Sequence, residues 1–356
     1  MENPFKFGSL VDGKYFTDRV KEQDYLKQIL NSPNHAVLIS PRRFGKSSLV
    51  AETLRGSKRE IISLNFQAIT SSIKLAEAIY RKFFARHPLE KAKHYLSSAR
   101  IIPTFSLNPM TGTPEVSLQP GANKQVALED AFALLEKAGK EKRLIVVMDE
   151  FQEIMQIEKG LDKILRSIMQ EQENINYILM GSRENMMKKI FLRKKSPFYH
   201  FGALIYLDRI PYGDFKLYIS ERLVSAGPVH SPEELADGVL AFTNCHPYYT
   251  QQLAFQVWYE IQRGIPEDRI VENAIQDITQ MHDFDYSRLW ETMNTTNKIV
   301  LSRIALGGKA PMESPELPTS TIFSALNRLV DKGILIKNGK YTFDDPFFCK
   351  WVKDLT

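Results

Sequence analysis

The stretch HAVLISPRRFGKSSLVAETL, residues 35–54, constrains this chain more than any other. AVLIS at 36–40 is a short apolar run suited to a buried strand, Pro41 to Gly45 carry turn chemistry, and Ser47 to Leu54 switch to helical spacing. A strand that turns through Gly-Lys-Ser into a helix presents backbone amides and the positive end of the helix to an anion. Residues 40–47 fit the phosphate-loop spacing G-x-x-x-x-G-K-[ST] at Gly45, Lys46 and Ser47, and depart from it at Ser40. Gly45 allows close backbone approach, Lys46 neutralises phosphate charge, and the Ser47 hydroxyl is a ligand for Mg²⁺. Ser40 opens the loop, so serine fits there if its φ is negative. The nucleotide contacts are expected along Ser40, Pro41, Arg42, Arg43, Phe44, Gly45, Lys46, Ser47 and Ser48.

The rest of the first 210 residues repeats strand and helix, the alternation that builds a parallel sheet. EIISLNF at 60–66 precedes the helical pattern SIKLAEAIYRKFFARH. After it, IIPTFSLNPMTGTPEVSLQPG at 101–121 sets two strand-like runs about an NPMTGTP turn, which reads as a hairpin insertion. Helix 125–139, strand RLIVVMD, helix 160–172, strand NYILMGS and strand ALIYLDRI follow, giving five sheet strands. RLIVVMDEFQEI ends an apolar strand in Asp149 and Glu150, the placement in which an aspartate holds magnesium and the next glutamate polarises the attacking water. Taken alone, two carboxylates after a strand also suit a solvated helix start; with the Gly-Lys-Ser loop and the alternating topology they indicate a site for Mg²⁺ and ATP.

Residues 211–285 are helical throughout, as in YGDFKLYISERLV and PYYTQQLAFQVWYEIQRG. From 286 the pattern changes to helix NKIVLSRIAL, helix TSTIFSALNRLVDKG and ILIKNGKYTF, where Asn338-Gly339 between alternating residues signals a hairpin. Helices followed by a short hairpin suggest a winged helix-turn-helix. The expected division is therefore an ATPase domain at 1–210, a helical lid at 211–285 and a winged-helix domain at 286–356.

These residues resemble the archaeal-type P-loop ATPase family, AAA+-related ATPases of the STAND type with a C-terminal winged helix. SPRRFGKSSL resembles its loop, MDEFQEI its acidic motif, and FTDRVKEQDYL its pre-loop segment, with Phe16, Arg19, Glu22 and Leu26 in the family spacing. The resemblance implies that Phe16 and Arg19 lie beside the adenine, that Ser182 in ILMGSREN senses the γ-phosphate, and that His246 and Pro247 in HPYYTQQL reach the nucleotide from the lid. It also exposes departures. Cys245 replaces the glycine before His-Pro, and SPFYHF places Phe201 where an arginine is usual, leaving the arginine finger unassigned. Arg183 and Arg193, in the basic run RENMMKKIFLRKK, are finger candidates, with a solvated helix face as the alternative.

The net charge of +5 suits a nucleic-acid partner without requiring one. On the winged helix, Ser324, Asn327 and Arg328, with Thr319, Ser320 and Thr321 on the same helix, and Lys337 and Lys340 on the wing are the candidates for duplex DNA. Residues 286–356 hold ten Lys or Arg against seven Asp or Glu, a modest excess for a DNA reader, so a protein-docking winged helix is the alternative. Cys245 and Cys349 have neither disulfide nor zinc spacing and read as core residues. The densest apolar run, LIVVM at 144–148, is far below the roughly 20 residues of a membrane span, and the expected location is cytoplasmic. The expected function is an Mg²⁺- and ATP-dependent ATPase, acting with DNA, a protein partner or further copies of itself. The rival is a nucleotide-holding switch with little hydrolysis that docks a protein through its winged helix.

Overall fold

A computed structural model describes the chain except residues 1, 88–93, 98, 108, 109, 111–113 and 308–316. Its contacts divide into two compact units. One comprises Val20–Pro41 and Leu49–Leu207; the other comprises Met1–Arg19, Arg42–Ser48 and Asp208–Thr356.

The first unit is built on five parallel strands: β1 (Ala36–Ile39), β2 (Ile61–Asn65), β5 (Leu144–Asp149), β6 (Ile175–Gly181) and β7 (Ala203–Tyr206), in the order β2-β5-β6-β1-β7. All four residues of β1 and all seven of β6 are buried, which is why β1 reads as an unbroken apolar run and β6 as one interrupted at Asn176, rather than as alternating strands. Helices Ser72–Phe84 and Lys124–Gly139 begin at side-chain caps, Ser71 accepting from Lys74 N and Asn123 accepting from Gln125 N and Val126 N. Their apolar faces bury Tyr80, Phe83 and Phe132 completely in the core that covers the sheet. At the start of β5, the Arg59 guanidinium donates to the carbonyls of Leu30, Arg143 and Leu144 and to Asn176 Oδ1, tying the strand to its surroundings. The expected hairpin insertion is present as β3 (Thr104–Leu107) antiparallel to β4 (Pro114–Ser117). Most of its NPMTGTP turn lies outside the described residues.

The second unit is helical, running from Tyr212–Leu223 through Pro232–Thr243, Pro247–Gln262, Glu267–Met281 and Asp283–Glu291 to Thr295–Ala305 and Thr319–Asp331. The antiparallel strands β8 (Leu335–Asn338) and β9 (Lys340–Phe343) follow, joined at Gly339 with φ +69°, and helix Pro346–Leu355 closes the chain. Helix, helix, hairpin is the winged-helix arrangement. One apolar core runs through this whole unit, from Phe215, Leu253 and Val257 to Leu326, Leu329 and Phe347. Cys245 is buried, Cys349 half-buried, and both are free thiols.

Candidate functional site

In the sheet unit the strand-end carboxylates meet a network of donors. β5 and β6 are parallel neighbours, paired as far as Met148 with Leu179, so Asp149 and Ser182 leave the same end of the sheet. Asp149 Oδ1 accepts from Glu150 N at 2.9 Å. Glu150 itself has φ +51°, a left-handed conformation that costs a residue with a Cβ on the order of 1 kcal/mol and is held only where its surroundings impose it. Its carboxylate Oε2 accepts from Ser182 Oγ at 2.8 Å and from Gln152 Nε2 at 2.5 Å. Asp149, Glu150 and Ser182, expected from the sequence, are thus brought together, and Gln152 joins them unforeseen. Gly181 makes room for it: a Cβ there would stand 2.3 Å from Gln152 Oε1 and 2.4 Å from Met187 Sδ. In this unit Ser40 is fully buried and lies outside the left-handed region, which meets the condition under which serine opens the loop. Its Oγ donates to Pro41 O at 3.2 Å.

The loop itself, Arg42–Ser48, belongs to the helical unit. Gly45 has φ +89° and open space where a Cβ would lie, so the backbone angle, not crowding within the chain, demands glycine. Lys46 begins helix Lys46–Leu54 and is 6% exposed; Ser47 is exposed, and Ser48 Oγ accepts from Val11 N at 3.0 Å. Arg43, left-handed at φ +65°, donates to Tyr249 OH at 2.8 Å and lies 4.5 Å from the Tyr248 ring centroid. Phe44 is buried edge-on to His246, with ring centroids 4.6 Å apart.

His246 caps helix Pro247–Gln262, its Nδ1 accepting from Tyr248 N at 3.2 Å. That bond leaves Nε2 as the protonated nitrogen of the neutral ring. Nε2 faces Asp344 Oδ1 at 3.5 Å; both atoms are buried and among the described residues neither makes a well-formed hydrogen bond, so the contact is electrostatic proximity. Burial lowers the His246 pKa, with Asp344 opposing, while burial raises that of the adjacent Asp345, opposed by the amides of Phe348 and Phe347 and the Tyr286 hydroxyl. Cys245 has φ +57°, which explains why glycine suits the position before His-Pro. Arg19 is buried at φ +64° and donates to Asp208 O, and Phe16 is half-buried just after the turn Gly13–Tyr15.

The finger candidates separate. Phe201 is a core residue of the sheet unit, stacked on His35 at 4.5 Å, with the Arg166 guanidinium 5.1 Å from its ring centroid. Arg183 is paired to Glu153 at 3.4 Å, whereas Arg193 is exposed. On helix Thr319–Asp331, Ile322, Ala325, Leu326 and Leu329 face inward, leaving Ser324, Asn327 and Arg328 exposed. Ser324 Oγ donates to Ser320 O at 2.9 Å, and Arg328 reaches Asn297 Oδ1 at 3.4 Å. Lys337 and Lys340 are exposed on β8 and β9.

No protein-family model and no curated protein sequence matches the chain. Solved structures do. A Walker-type ATPase of Pyrococcus abyssi superposes with a TM-score of 0.66 at 18% identity, over 96% of this chain and 97% of that one. The Orc2 protein of Aeropyrum pernix in its ADP form gives 0.53 at 13% identity, over 99% and 98% of the two chains. The Orc1 protein of the same organism, in complex with DNA, gives 0.50 at 14% identity, over 95% and 92%. Likeness at these identities establishes the fold. The chain has the P-loop NTPase fold found in archaeal Walker-type ATPases, continued by a C-terminal winged helix. Among the described residues no helix is long and apolar enough to cross a membrane.

Proposed function

We propose that this protein binds Mg²⁺ and ATP, hydrolyses ATP, and uses the nucleotide cycle to change its conformation or assembly on DNA. The observation that carries the reading is Glu150, held through one carboxylate oxygen by Ser182 and Gln152 at the end of β5, in a chain whose β1 runs into Gly45-Lys46-Ser47. Lys46 and the amides from Arg42 to Ser48 would bind the phosphates, with Phe16, Arg19, His246 and Pro247 completing the nucleotide contacts. Glu150 Oε1 has no hydrogen-bond partner among the described residues, so it is the oxygen available to take a proton from water. Ser182 would sense the γ-phosphate.

The donor set fits magnesium. Mg²⁺ is held by one or two protein oxygens together with phosphates and water. Ser47 and Asp149 supply hard oxygens of that kind, and among the described residues no cluster of three His, Cys, Asp or Glu offers a closed metal cage. When bound, the ion would neutralise phosphate charge.

Residues 1–210 would form the ATPase domain, 211–285 the lid and 286–356 the DNA-facing winged helix, with Ser324, Asn327, Arg328, Lys337 and Lys340 as contacts. Among the solved structures of similar fold, Orc2 is seen with ADP and Orc1 with DNA. The burial of Phe201 favours a second reading, a slow or non-hydrolysing nucleotide switch that docks a protein partner, because the arginine expected there is replaced by a core side chain. Single-turnover ATP hydrolysis with and without duplex DNA, and with a second copy in excess, tests both. Conversion of bound ATP to ADP supports the ATPase reading; tight ATP binding with no ADP formed supports the switch.

A further inference from the structure

Resting on the ATPase reading, we propose that Gln152 is the positioning residue of the hydrolytic reaction, holding the Glu150 carboxylate so that only Oε1 is presented to water.

Gln152 is fully buried in the turn Phe151–Glu153. Its Nε2 faces two carboxylates, Glu150 Oε2 at 2.5 Å and Glu153 Oε1 at 3.5 Å, and this pair of acceptors settles which end of the amide is the nitrogen. The amide oxygen is consequently driven inward, against Gly181, where it is buried with no hydrogen-bond partner among the described residues. A residue chosen for packing alone would not leave a buried acceptor unpaired, since leucine or methionine fills such a volume without that cost. The unpaired oxygen is the consequence of aiming the amide N–H at Glu150.

Ser182 donates to the same Oε2, so two donors from different elements fix the plane of one carboxylate and leave its other oxygen without a partner among the described residues. A general base held in one orientation meets its water without first reorganising. If Ser182 turns to the γ-phosphate when ATP is bound, Gln152 is the donor that keeps Glu150 in place. Glu153, which shares the Gln152 amide, is in turn tied to Arg183 at 3.4 Å, so the acceptor on the far side is also anchored.

The test is a double-mutant cycle on the full-length protein, read by single-turnover hydrolysis of ATP alongside ATP affinity and melting temperature. Gln152→Met keeps length and volume but removes the donor, and Gln152→Leu is the second shape-matched variant should methionine fail to fold. Either is expected to lower the hydrolysis rate by about 10- to 100-fold with ATP affinity within about twofold of wild type. In a Glu150→Gln background the same change should have little further effect, because a residue that acts through the Glu150 carboxylate has nothing left to position. Wild-type turnover in both variants, or rate losses that multiply with Glu150→Gln, would overturn the proposal in favour of a packing role. A wild-type protein that binds ATP without hydrolysing it would instead remove the ATPase reading, and this inference with it.

Discussion

The two candidate halves of the nucleotide machinery are built from opposite materials. At the end of β5 the sheet unit assembles short polar side chains, Asp149, Glu150, Gln152 and Ser182, linked by hydrogen bonds of 2.5–2.9 Å. Around the loop, the helical unit surrounds Arg43 and Phe44 with Tyr248, Tyr249 and His246, and sets the buried His246 against Asp344. The first arrangement suits moving a proton. The second, rich in aromatic rings, suits reporting a change in loop position to residues that also carry the winged helix. A chemical step needs oriented donors; a mechanical link needs packed surfaces with two arrangements of similar energy.

The sharpest separation between the halves comes from Glu150→Gln. The amide keeps the shape and cannot take the proton, so single-turnover hydrolysis should fall by about 10²- to 10⁴-fold while ATP remains bound. Equal rates in mutant and wild type would show that the strand-end carboxylate is not the base. Lys46→Ala acts on the loop half and should weaken ATP binding itself, by about 1.5–3 kcal/mol for the loss of a charged contact, measured by titration.

Acid should strike the sheet unit first through His35, which burial and the neighbouring Arg166 and Arg143 hold down at about 4, below its ordinary value near 6.5. A histidine with a depressed folded pKa is protonated first in the unfolded chain. Its neutral form therefore supports the fold above about pH 6.5, and that contribution is lost progressively as pH falls toward 4, on the order of 2–3 kcal/mol. His35→Asn, which retains an acceptor for Tyr177 N, should flatten that part of the stability curve, as read from melting temperatures between pH 7 and 4. In the helical unit two groups oppose each other. His246 is destabilising on acidification, whereas Asp345, with its raised folded pKa, gains protons in the folded state and is stabilising as pH falls through that value.

A smaller effect tests the aromatic link. Tyr249→Phe removes the acceptor for Arg43 with the ring kept in place, and should cost about 1 kcal/mol in unfolding experiments with hydrolysis in the nucleotide-saturated protein little changed. A large loss of turnover would break the division of labour between the halves. Of comparable size, Lys340→Ala should reduce the salt dependence of duplex DNA binding by about one unit of slope, and Arg328→Ala should weaken that binding by about 1 kcal/mol, both followed by anisotropy at low salt with ATP present. DNA binding that is absent, or insensitive to salt, in every nucleotide state would turn the winged helix into a protein-docking surface.

What sequence alone determined were the features written in a few adjacent residues. AVLIS, RLIVVMD and NYILMGS read as strands because parallel strands covered on both faces carry near-continuous apolar runs. Gly-Lys-Ser after a strand, Asp149-Glu150 at a strand end and Asn338-Gly339 between alternating residues are likewise local chemistry. The closing helix Pro346–Leu355 was legible too, through Asp345 as its cap and Pro346 at its first position, but its few residues after a hairpin were not read as an element. Other matters waited on tertiary structure. Whether Ser40 suits the loop depended on its φ, which surrounding strands impose. Gln152 and Ser182 converge on one oxygen of Glu150 only because β5 pairs with β6, and no spacing along the chain encodes that pairing. Phe201 fills a core position where an arginine was sought, and Asp344 faces His246 from a distant part of the chain. Local pattern is set by what each residue can do with its neighbours in sequence; which side chains share a buried oxygen or a ring face is set by strand order and packing, where distance along the chain carries no information.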